Sequence, residues 1–390
     1  SEVLKYIDDN NLNTQIYVEA SSKRYYPYND LAAQVIGFVG ADGGMLGIER
    51  KYDKYLTGTP GHYITARDAW GKSMPTKYET YIEAQDGYQV ESTLDLKIQS
   101  ALETQLEKTY YESNSTNRVT GIVMDVNTGG VLGMATYPSF DLNNPYELSD
   151  ELLTPFSTYM SDVNQARVRE NDNYENFAEM IYNFTQIKEN YEAGSDEYQN
   201  AYMELLYTLW RNKAVSELYE PGSTFKIITT SMAFEENIVT PNTVFTCYDP
   251  YSVEGTKIHC HKRGGHGTHE YRYMLQQSCN PTLIQVAQLV GNEKFYQYFE
   301  AYGYTSTTGI DLPIFHNYSG FNAVELATYS FGQTFKITPI QQITAVSTVA
   351  NGGYLLTPHV VSRIIDNEGN VVYSADETPK RQVVSSEVCE

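Results

Sequence analysis

A helical pattern that runs directly into a hairpin pattern constrains the fold of this chain more than any other feature. Between Leu96 and Tyr110, apolar side chains recur every three or four residues, which predicts an amphipathic helix of about four turns. Two β-rich runs follow, RVTGIVMDV and VLGMATY, and the turn Asn127-Thr128-Gly129-Gly130 separates them. This arrangement predicts a β-hairpin, so we expect helix and strand side by side in this part of the chain.

The segments on either side indicate further short elements. Residues 1–92 are rich in Gly and Tyr, and within them residues 31–62 alternate short apolar runs with glycine turns, which predicts strands and loops around one short helix. Three later segments each carry a helix start signal: PGSTFKIITTSMAF, CNPTLIQVAQLVG and TPIQQITAVSTVA. The last segment, GGYLLTPHVVSRIIDNEGNVVYS, predicts two strands around the turn at residues 367–370.

An acidic block covers residues 145–207, with 13 Asp and Glu against 3 Lys and Arg. Apolar residues keep a helical spacing inside it, so we expect packed helices with a solvated acidic face. These residues are Phe177, Met180, Ile181, Phe184, Ile187 and Tyr191.

The charge balance excludes several classes of function. The net charge of −22 argues against a nucleic-acid binder and against docking on anionic lipid, because both need clustered Lys and Arg. No run of about 18 apolar residues spans a membrane, and the polar start lacks the features of a signal peptide. Because Ser1 is not Met, we expect the sequence to be a fragment of a longer protein.

The segment Tyr219–Lys226 carries the sharpest candidate for chemistry. Pro221 and Gly222 break the preceding segment, so Ser223 falls in the first turn of a predicted helix and Lys226 lies one turn later on the same face. A serine hydroxyl becomes a nucleophile when a base takes its proton, and a lysine with a lowered pKa can be that base. The alternative interpretation is an ordinary helix start with an exposed lysine.

A second candidate is Ser278-Cys279-Asn280-Pro281. Pro281 suits the first position of a helix, which would make Asn280 its N-cap and nothing more. The functional interpretation is a loop that presents a hydroxyl and an amide to a cleft, for proton relay or for holding a substrate amide. Together with Ser223 and Lys226, the functional interpretation is favoured.

A third cluster, Ile258–Thr268 with His269, holds four of the seven histidines and one of the four cysteines. Imidazole and thiolate can bind zinc, but no paired Cys-x-x-Cys or His-x-x-x-His frames this cluster, so we assign no metal to it. Cys247 and Cys260 lie across a predicted hairpin and form a candidate disulfide if the compartment is oxidising.

The order of these motifs resembles the class B penicillin-binding proteins, the monofunctional peptidoglycan D,D-transpeptidases of bacterial division or sporulation. Four stretches carry the resemblance, and they run over nearly the whole chain apart from the acidic block. They are IGFVGADGGMLGIERKYDKYLTGTPG, STLDLKIQSALE, GIVMDVNTGGVLGMATYPSFDLNNP, and RNKAVSELYEPGSTFK with SCNP downstream.

The resemblance implies an α+β fold in two domains. Residues 1–92 would be the C-terminal part of a β-rich, dimerisation-type pedestal. Residues 93–390 would be the transpeptidase domain, an antiparallel sheet flanked by helices, with the acidic block at about 145–207 as a helical insertion.

The resemblance also implies roles for residues. Ser223 matches the acylated nucleophile and Lys226 its general base, while Ser278 matches a proton-shuttling serine and Asn280 an amide that holds the substrate. The substrates would be stem peptides ending in D-Ala-D-Ala, β-lactams would trap Ser223, and neither a metal nor an organic cofactor is implied. A membrane anchor upstream would place the catalytic domain on the extracellular face, with a glycosyltransferase or other division or sporulation proteins as further partners.

One family motif is missing from the sequence. Lys-Thr/Ser-Gly should follow the final segment, but the chain reads Ser385-Ser386-Glu387-Val388-Cys389-Glu390 there, so we expect a C-terminal truncation. Two alternatives stay open: a D,D-carboxypeptidase or β-lactamase-type hydrolase on the same scaffold, and a non-catalytic scaffold that binds cell-wall or division partners.

Overall fold

The computed structural model describes residues 2–12, 15–16, 23–64, 80–149, 152–153, 177–312 and 323–390. The helices are α1 (Glu2–Asp9), α2 (Ala33–Ile36), α3 (Gly47–Lys51), α4 (Asp53–Leu56), α5 (Leu96–Glu112), α6 (Phe177–Asn190), α7 (Asp196–Trp210), α8 (Lys213–Ser216), α9 (Lys226–Glu235), α10 (Tyr271–Gln276), α11 (Asn280–Val290), α12 (Asn292–Ala301), α13 (Ala323–Tyr329), α14 (Pro339–Ala350) and α15 (Ser386–Cys389). Among them, none is long and apolar enough to cross a membrane.

The strands lie between and after these helices and pair antiparallel. They are β1 (Val39–Gly40), β2 (Gly43–Gly44), β3 (His62–Ile64), β4 (Thr80–Ile82), β5 (Gln89–Ser92), β6 (Val119–Met124), β7 (Val131–Tyr137), β8 (Val244–Cys247), β9 (Tyr251–Val253), β10 (Thr256–Ile258), β11 (Gly267–Glu270), β12 (Tyr354–Leu355), β13 (Val361–Ile365), β14 (Val371–Ser374) and β15 (Arg381–Gln382). This mixture of helices and antiparallel strands confirms the α+β class.

The predicted helix and hairpin of residues 96–137 are confirmed. Asp95 caps α5 by accepting hydrogen bonds from the backbone N–H groups of Lys97 and Ile98. Strands β6 and β7 pair from Val119↔Tyr137 to Met124↔Val131 around the predicted turn. The buried amide of Gln99 links helix to hairpin, because it donates to the carbonyl oxygen of Met134 (3.0 Å) and accepts from its N–H (2.8 Å).

The segment of residues 31–62 differs from the sequence prediction, because it contains three short helices, α2 to α4, rather than one. Gly47 explains part of the difference: its φ of +56° lets the chain turn directly into α3, and a Cβ there would lie 2.2 Å from the carbonyl oxygen of Val35. The close backbone approach between α2 and α3 depends on this glycine.

The acidic block folds into helices α6 and α7 where the structure describes it. Phe177, Ile181 and Phe184 are buried as predicted, and they pack with Leu205 and Leu209 of α7. Tyr191 is instead exposed and lies beyond the end of α6. Residues 154–176 of the block lie outside the described residues.

The largest core lies around α9 and α11. Phe225 is fully buried, and its ring centroid is 4.9 Å from that of Phe335 and 5.3 Å from that of Tyr304. Most of α9 is buried, which holds the turn before it in one position. Next to this core, β13 pairs with both β14 and β5, so the predicted strands around residues 367–370 form a three-stranded sheet with a strand from the first 92 residues.

Candidate active site

Ser223 lies at the start of the helical segment that the sequence predicts. Residues Gly222–Phe225 form a 3₁₀ turn that continues directly into α9, and Ser223 is exposed there. Lys226, one turn later, is only 2% exposed. The start of the helix therefore places the accessible hydroxyl of Ser223 one turn before the buried amine of Lys226, as the Ser-x-x-Lys spacing indicates.

The second candidate loop meets this turn. The Oγ of Ser278 donates to the Oγ of Ser223 at 2.9 Å. The Nζ of Lys226 donates to the Oγ of Ser278 at 2.8 Å, to its carbonyl oxygen at 2.7 Å and to the Oδ1 of Asn280 at 2.7 Å. The four predicted residues thus form one connected hydrogen-bond chain, in which Lys226 reaches Ser223 through Ser278.

The backbone of Ser278 makes this contact possible. Its φ of +51° lies in the left-handed region, which residues other than glycine seldom adopt. In this conformation both the hydroxyl and the carbonyl oxygen of Ser278 lie within hydrogen-bond distance of Lys226. Nothing in the sequence around Ser278 indicates the conformation.

Asn280 is not the N-cap that its position before Pro281 predicted. Cys279 precedes the first residue of α11 and makes no side-chain capping bond, while Asn280 is already the first helical residue. Its side-chain oxygen is engaged by Lys226, which takes the acceptor that a cap would need. This contact favours the functional interpretation of the loop over the capping one.

Burial changes the protonation of Lys226. Loss of hydration lowers the pKa of its ammonium from 10.5 to about 8, and the nearby thiols of Cys279 and Cys260 act in the opposite direction. A lysine with a pKa near 8 is neutral in about one molecule in ten at pH 7, compared with fewer than one in a thousand at the ordinary value. Lys226 can therefore accept a proton at neutral pH.

Residues 330–337 lie beside Ser223, and the sequence analysis did not identify them. We call this segment the wall. Tyr219 pairs with Ile337 in a two-residue bridge, and the carboxylate of Glu220 accepts from the N–H of Thr334 at 3.0 Å. The N–H of Gly222 donates to the carbonyl oxygen of Gly332 at 2.9 Å. The Tyr-Glu-Pro-Gly entry before Ser223 is therefore fixed by a segment more than a hundred residues later, which local patterns do not show.

The candidate disulfide is not formed in this structure. Cys247 and Cys260 are both buried free thiols. Their sulfur atoms lie instead in a group with the side chains of His266 and Cys279. Because Cys279 separates Ser278 from Asn280, this group lies directly behind the candidate active site.

Comparison with known proteins gives two family matches. Residues 119–390 match the family described as "Penicillin binding protein transpeptidase domain". Residues 1–92 match the family described as "Penicillin-binding Protein dimerisation domain". The two matches leave out residues 93–118, which contain α5.

Individual relatives agree with these matches. The chain is 32% identical over 380 residues to stage V sporulation protein D of Bacillus subtilis (strain 168), covering 95% of this chain and 50% of the relative. It is 24% identical over 344 residues to peptidoglycan D,D-transpeptidase FtsI of Escherichia coli (strain K12), covering 87% of this chain and 48% of the relative. It therefore spans about half the length of these curated relatives.

A solved structure shares the fold. Penicillin binding protein 2X from Streptococcus thermophilus superposes with a TM-score of 0.70 at 21% identity, covering 100% of this chain and 51% of the other. With a transpeptidase match over most of its length and a dimerisation match before it, this chain belongs to the class B penicillin-binding proteins.

Proposed function

We propose that this chain is a peptidoglycan D,D-transpeptidase that joins stem peptides through an acyl-enzyme on Ser223. The hydrogen-bond chain from Ser223 through Ser278 to Lys226 and Asn280 is the observation that carries the proposal. The name of the Escherichia coli relative, a peptidoglycan D,D-transpeptidase, supports the same reaction.

The proton route follows from what each acceptor around Lys226 can do. As an ammonium, Lys226 has three N–H groups and three acceptors. Two of these, a carbonyl oxygen and the Oδ1 of Asn280, can only accept. The Ser278 hydroxyl can also donate, so when Lys226 is neutral, Ser278 can turn its hydrogen toward Nζ and accept the hydrogen of Ser223. Protons then pass from Ser223 through Ser278 to Lys226.

Acylation uses this route in one direction and then the other. The Ser223 Oγ attacks the carbonyl carbon of the peptide bond between the two D-Ala residues while its proton moves through Ser278 to Lys226. The C–N bond breaks, the same route returns the proton to the leaving amine, and free D-Ala departs. An ester between Ser223 and the remaining stem peptide is left.

Transfer completes the reaction. The amine of a neighbouring stem peptide attacks the ester carbonyl carbon, its extra proton passes to Lys226, and the C–O bond to Ser223 breaks. Ser223 recovers a proton and a new amide cross-links the two stems. The Oδ1 of Asn280 is engaged by Lys226, so we assign the donors of the amide, on Nδ2, to a substrate carbonyl.

The setting of the reaction is part of the proposal. We place the first domain at residues 1–92 as a dimerisation-type pedestal and the second at residues 93–390; the family matches to residues 1–92 and 119–390 support two domains in this order. The substrate polymer lies outside the cytoplasmic membrane, so the chain would work at the extracellular face of an anchored protein. Membrane proteins of division or sporulation, including a glycosyltransferase, are the partners that fit this place.

The test is the intact mass of the natural-length protein after incubation with a penicillin. The wild type should gain one drug mass, and Ser223→Ala should gain none. Ser100→Ala, an exposed serine on α5, serves as the matched control and should acylate like the wild type. A folded wild-type protein that gains no mass would contradict the acyl-enzyme and favour the non-catalytic scaffold.

A second measurement separates transfer from hydrolysis. A stem-peptide analogue ending in D-Ala-D-Ala is incubated with the protein and an excess of a D-amino acid as acceptor. A transpeptidase exchanges the terminal residue for the acceptor, whereas a carboxypeptidase releases the shortened peptide. Release without exchange would overturn the transpeptidase assignment while keeping Ser223 as the nucleophile.

A further inference from the structure

Three cysteines and one histidine from three separate segments meet behind the candidate active site. Cys247 ends β8, Cys260 follows β10, His266 precedes β11 and Cys279 precedes α11. All four side chains are buried, and one potential ligand atom from each lies within 4.8 Å of the others. We call these four residues the Cys₃His cluster.

The donor atoms of the cluster are those of a structural zinc site. Zinc binds four ligands in a tetrahedron, with Cys₃His among the common sets, and Zn–S distances of about 2.3 Å place the sulfurs about 3.8 Å apart. The 4.8 Å limit of the cluster is close to this spacing. A disulfide would join only two of the sulfurs and would leave the remaining thiol and the imidazole without a role.

The imidazole of His266 gives an independent indication of a ligand. The side chain is 6% exposed, its Nδ1 lies 3.3 Å from the Sγ of Cys260, and its Nε2 is buried without a hydrogen-bond partner among the residues that the structure describes. A thiol is a weak hydrogen-bond partner, so this buried ring gains little from its present contacts. A metal bond would account for its place.

Two glycines allow the loop between Cys260 and His266 to pass close to Cys247. Gly264 and Gly265 have φ values of +78° and +75°, and a Cβ on Gly265 would lie 2.7 Å from the carbonyl oxygen and 3.2 Å from the Sγ of Cys247. Only glycine fits there without a shift.

Asp249 holds the same loop from the other side. Its carboxylate accepts from the N–H of Cys260 at 3.1 Å and from the N–H of Gly264 at 2.9 Å. Carboxylates that fix the chain around metal ligands in this way are a common part of metal sites. The loop that carries Cys260 and His266 is therefore held by backbone contacts and not by packing alone.

We infer that the Cys₃His cluster binds one Zn²⁺ ion, which ties the β8–β11 region to the loop that carries Ser278 and Asn280. Cys279 lies between these two residues, so a metal bond to its sulfur would restrain the backbone from which both side chains reach Lys226. The three cysteines bind as thiolates, and their protons leave on binding. The ion would be structural, because four protein ligands leave no open position for a substrate.

Sequence patterns alone did not indicate this metal site. The ligands are spread from Cys247 to Cys279, so no short motif joins them. Three of the four histidines in the His-rich segment, His259, His261 and His269, lie outside the cluster. His259, for example, contacts Asp249 instead.

The test is the metal content of the natural-length protein, purified under reducing conditions without chelator. We expect about one zinc ion per chain in the wild type, measured by plasma mass spectrometry and by native mass spectrometry. Cys247→Ser and His266→Ala should lose it. The controls Cys389→Ser and His269→Ala replace the same residue types outside the cluster and should keep it.

Cobalt exchange on the wild type avoids the case in which a ligand variant fails to fold. Co²⁺ in the site should give thiolate-to-metal charge-transfer absorption and the strong d–d bands of a tetrahedral centre. A wild-type protein that holds neither metal, or one whose cluster cysteines are joined in a disulfide by non-reducing peptide mapping, would overturn the inference.

The effect on the active site is measured separately. Removal of zinc by a chelator should slow the acylation of Ser223 by a penicillin at least about tenfold, and restored zinc should recover the rate. This measurement alone rests on the proposed function. Metal content and cobalt spectra do not, so a failure of the acyl-enzyme and a failure of the zinc site are told apart.

Discussion

At the scale of single residues, Lys226 combines burial with a complete set of hydrogen bonds. Burial favours the neutral amine of Lys226. The ammonium form is stabilised by three oxygens that accept its hydrogen bonds: the carbonyl oxygen of Ser278, its hydroxyl and the amide oxygen of Asn280. The two effects leave a group that can change its protonation near neutral pH without leaving its place. Such a group suits a reaction in which the same amine accepts a proton and then returns it.

The lowered pKa of Lys226 predicts how acylation depends on pH. Below the pKa the neutral fraction rises about tenfold per pH unit, so the rate at which a penicillin acylates Ser223 should rise with pH and level off above about 8. Stopped-flow measurement of acylation across this range gives the profile. Lys226→Arg, whose guanidinium does not deprotonate, should be at least about 100-fold slower at every pH.

Lys213 provides the matched control for that profile. Burial and the nearby charge of Arg118 also lower its pKa to about 8, but its Nζ contacts Glu217 and not Ser278. Lys213→Arg keeps the ion pair with Glu217, but its guanidinium does not deprotonate. If Lys226 is the base, the inflection of the acylation rate near pH 8 should remain in this variant. A profile that is flat in the wild type, or that loses its inflection in Lys213→Arg, would contradict Lys226 as the base.

At the scale of elements, local sequence patterns correctly predicted the helix starts and the hairpin, because contacts between residues close in sequence determine them. The helix start at residue 338 is an example: Thr338 and Gln341 form a capping box before an apolar run, and Pro339 occupies the first helical position. The hairpin of β6 and β7 is another, because a glycine turn and two β-rich runs suffice to fix its position. The Ser-x-x-Lys spacing placed Ser223 and Lys226 for the same reason.

The features that escaped sequence analysis depend on contacts between distant segments. Strand β5, for example, pairs with β13 from the far end of the chain. The Cys₃His cluster likewise joins three segments that share no short motif. Periodicity and turn signals carry no information on such long-range contacts.

The wall of residues 330–337 gives a prediction at this scale. Gly332 has a φ of +82°, and a Cβ there would lie 2.1 Å from the carbonyl oxygen of Gly222, next to Ser223. Gly332→Ala should therefore push the wall away from the start of the helical turn. We expect penicillin acylation to slow at least about tenfold, because the nucleophile loses its fixed position.

Gly369→Ala is the control for this change. Gly369 has a similar φ of +90° in the turn between β13 and β14, but a Cβ there meets no atom within 4 Å. Both variants carry the backbone strain of a left-handed alanine, of about 1 kcal/mol, and only Gly332→Ala adds the clash. Equal acylation rates in the two variants would show that the wall does not position Ser223.

At the scale of the whole molecule, the first 92 residues are joined to the rest by buried polar contacts as well as by a strand. The carboxylate of Asp311 accepts from the N–H groups of Val360 at 2.7 Å and Val361 at 3.0 Å, at the start of β13. It also accepts from the hydroxyl of Tyr52 at 2.8 Å. One buried carboxylate therefore connects the N-terminal part with the sheet that β5 completes.

This connection predicts a graded loss of stability. Asp311→Ala leaves two buried N–H groups and one hydroxyl without their acceptor, so the free energy of unfolding in urea should fall by about 3 kcal/mol or more. Tyr52→Phe removes a single donor and should cost about 1 kcal/mol, while Asp376→Ala, at an exposed turn, should change it by less than about 0.5 kcal/mol. If Asp311→Ala behaves like Asp376→Ala, the carboxylate does not hold the two parts together.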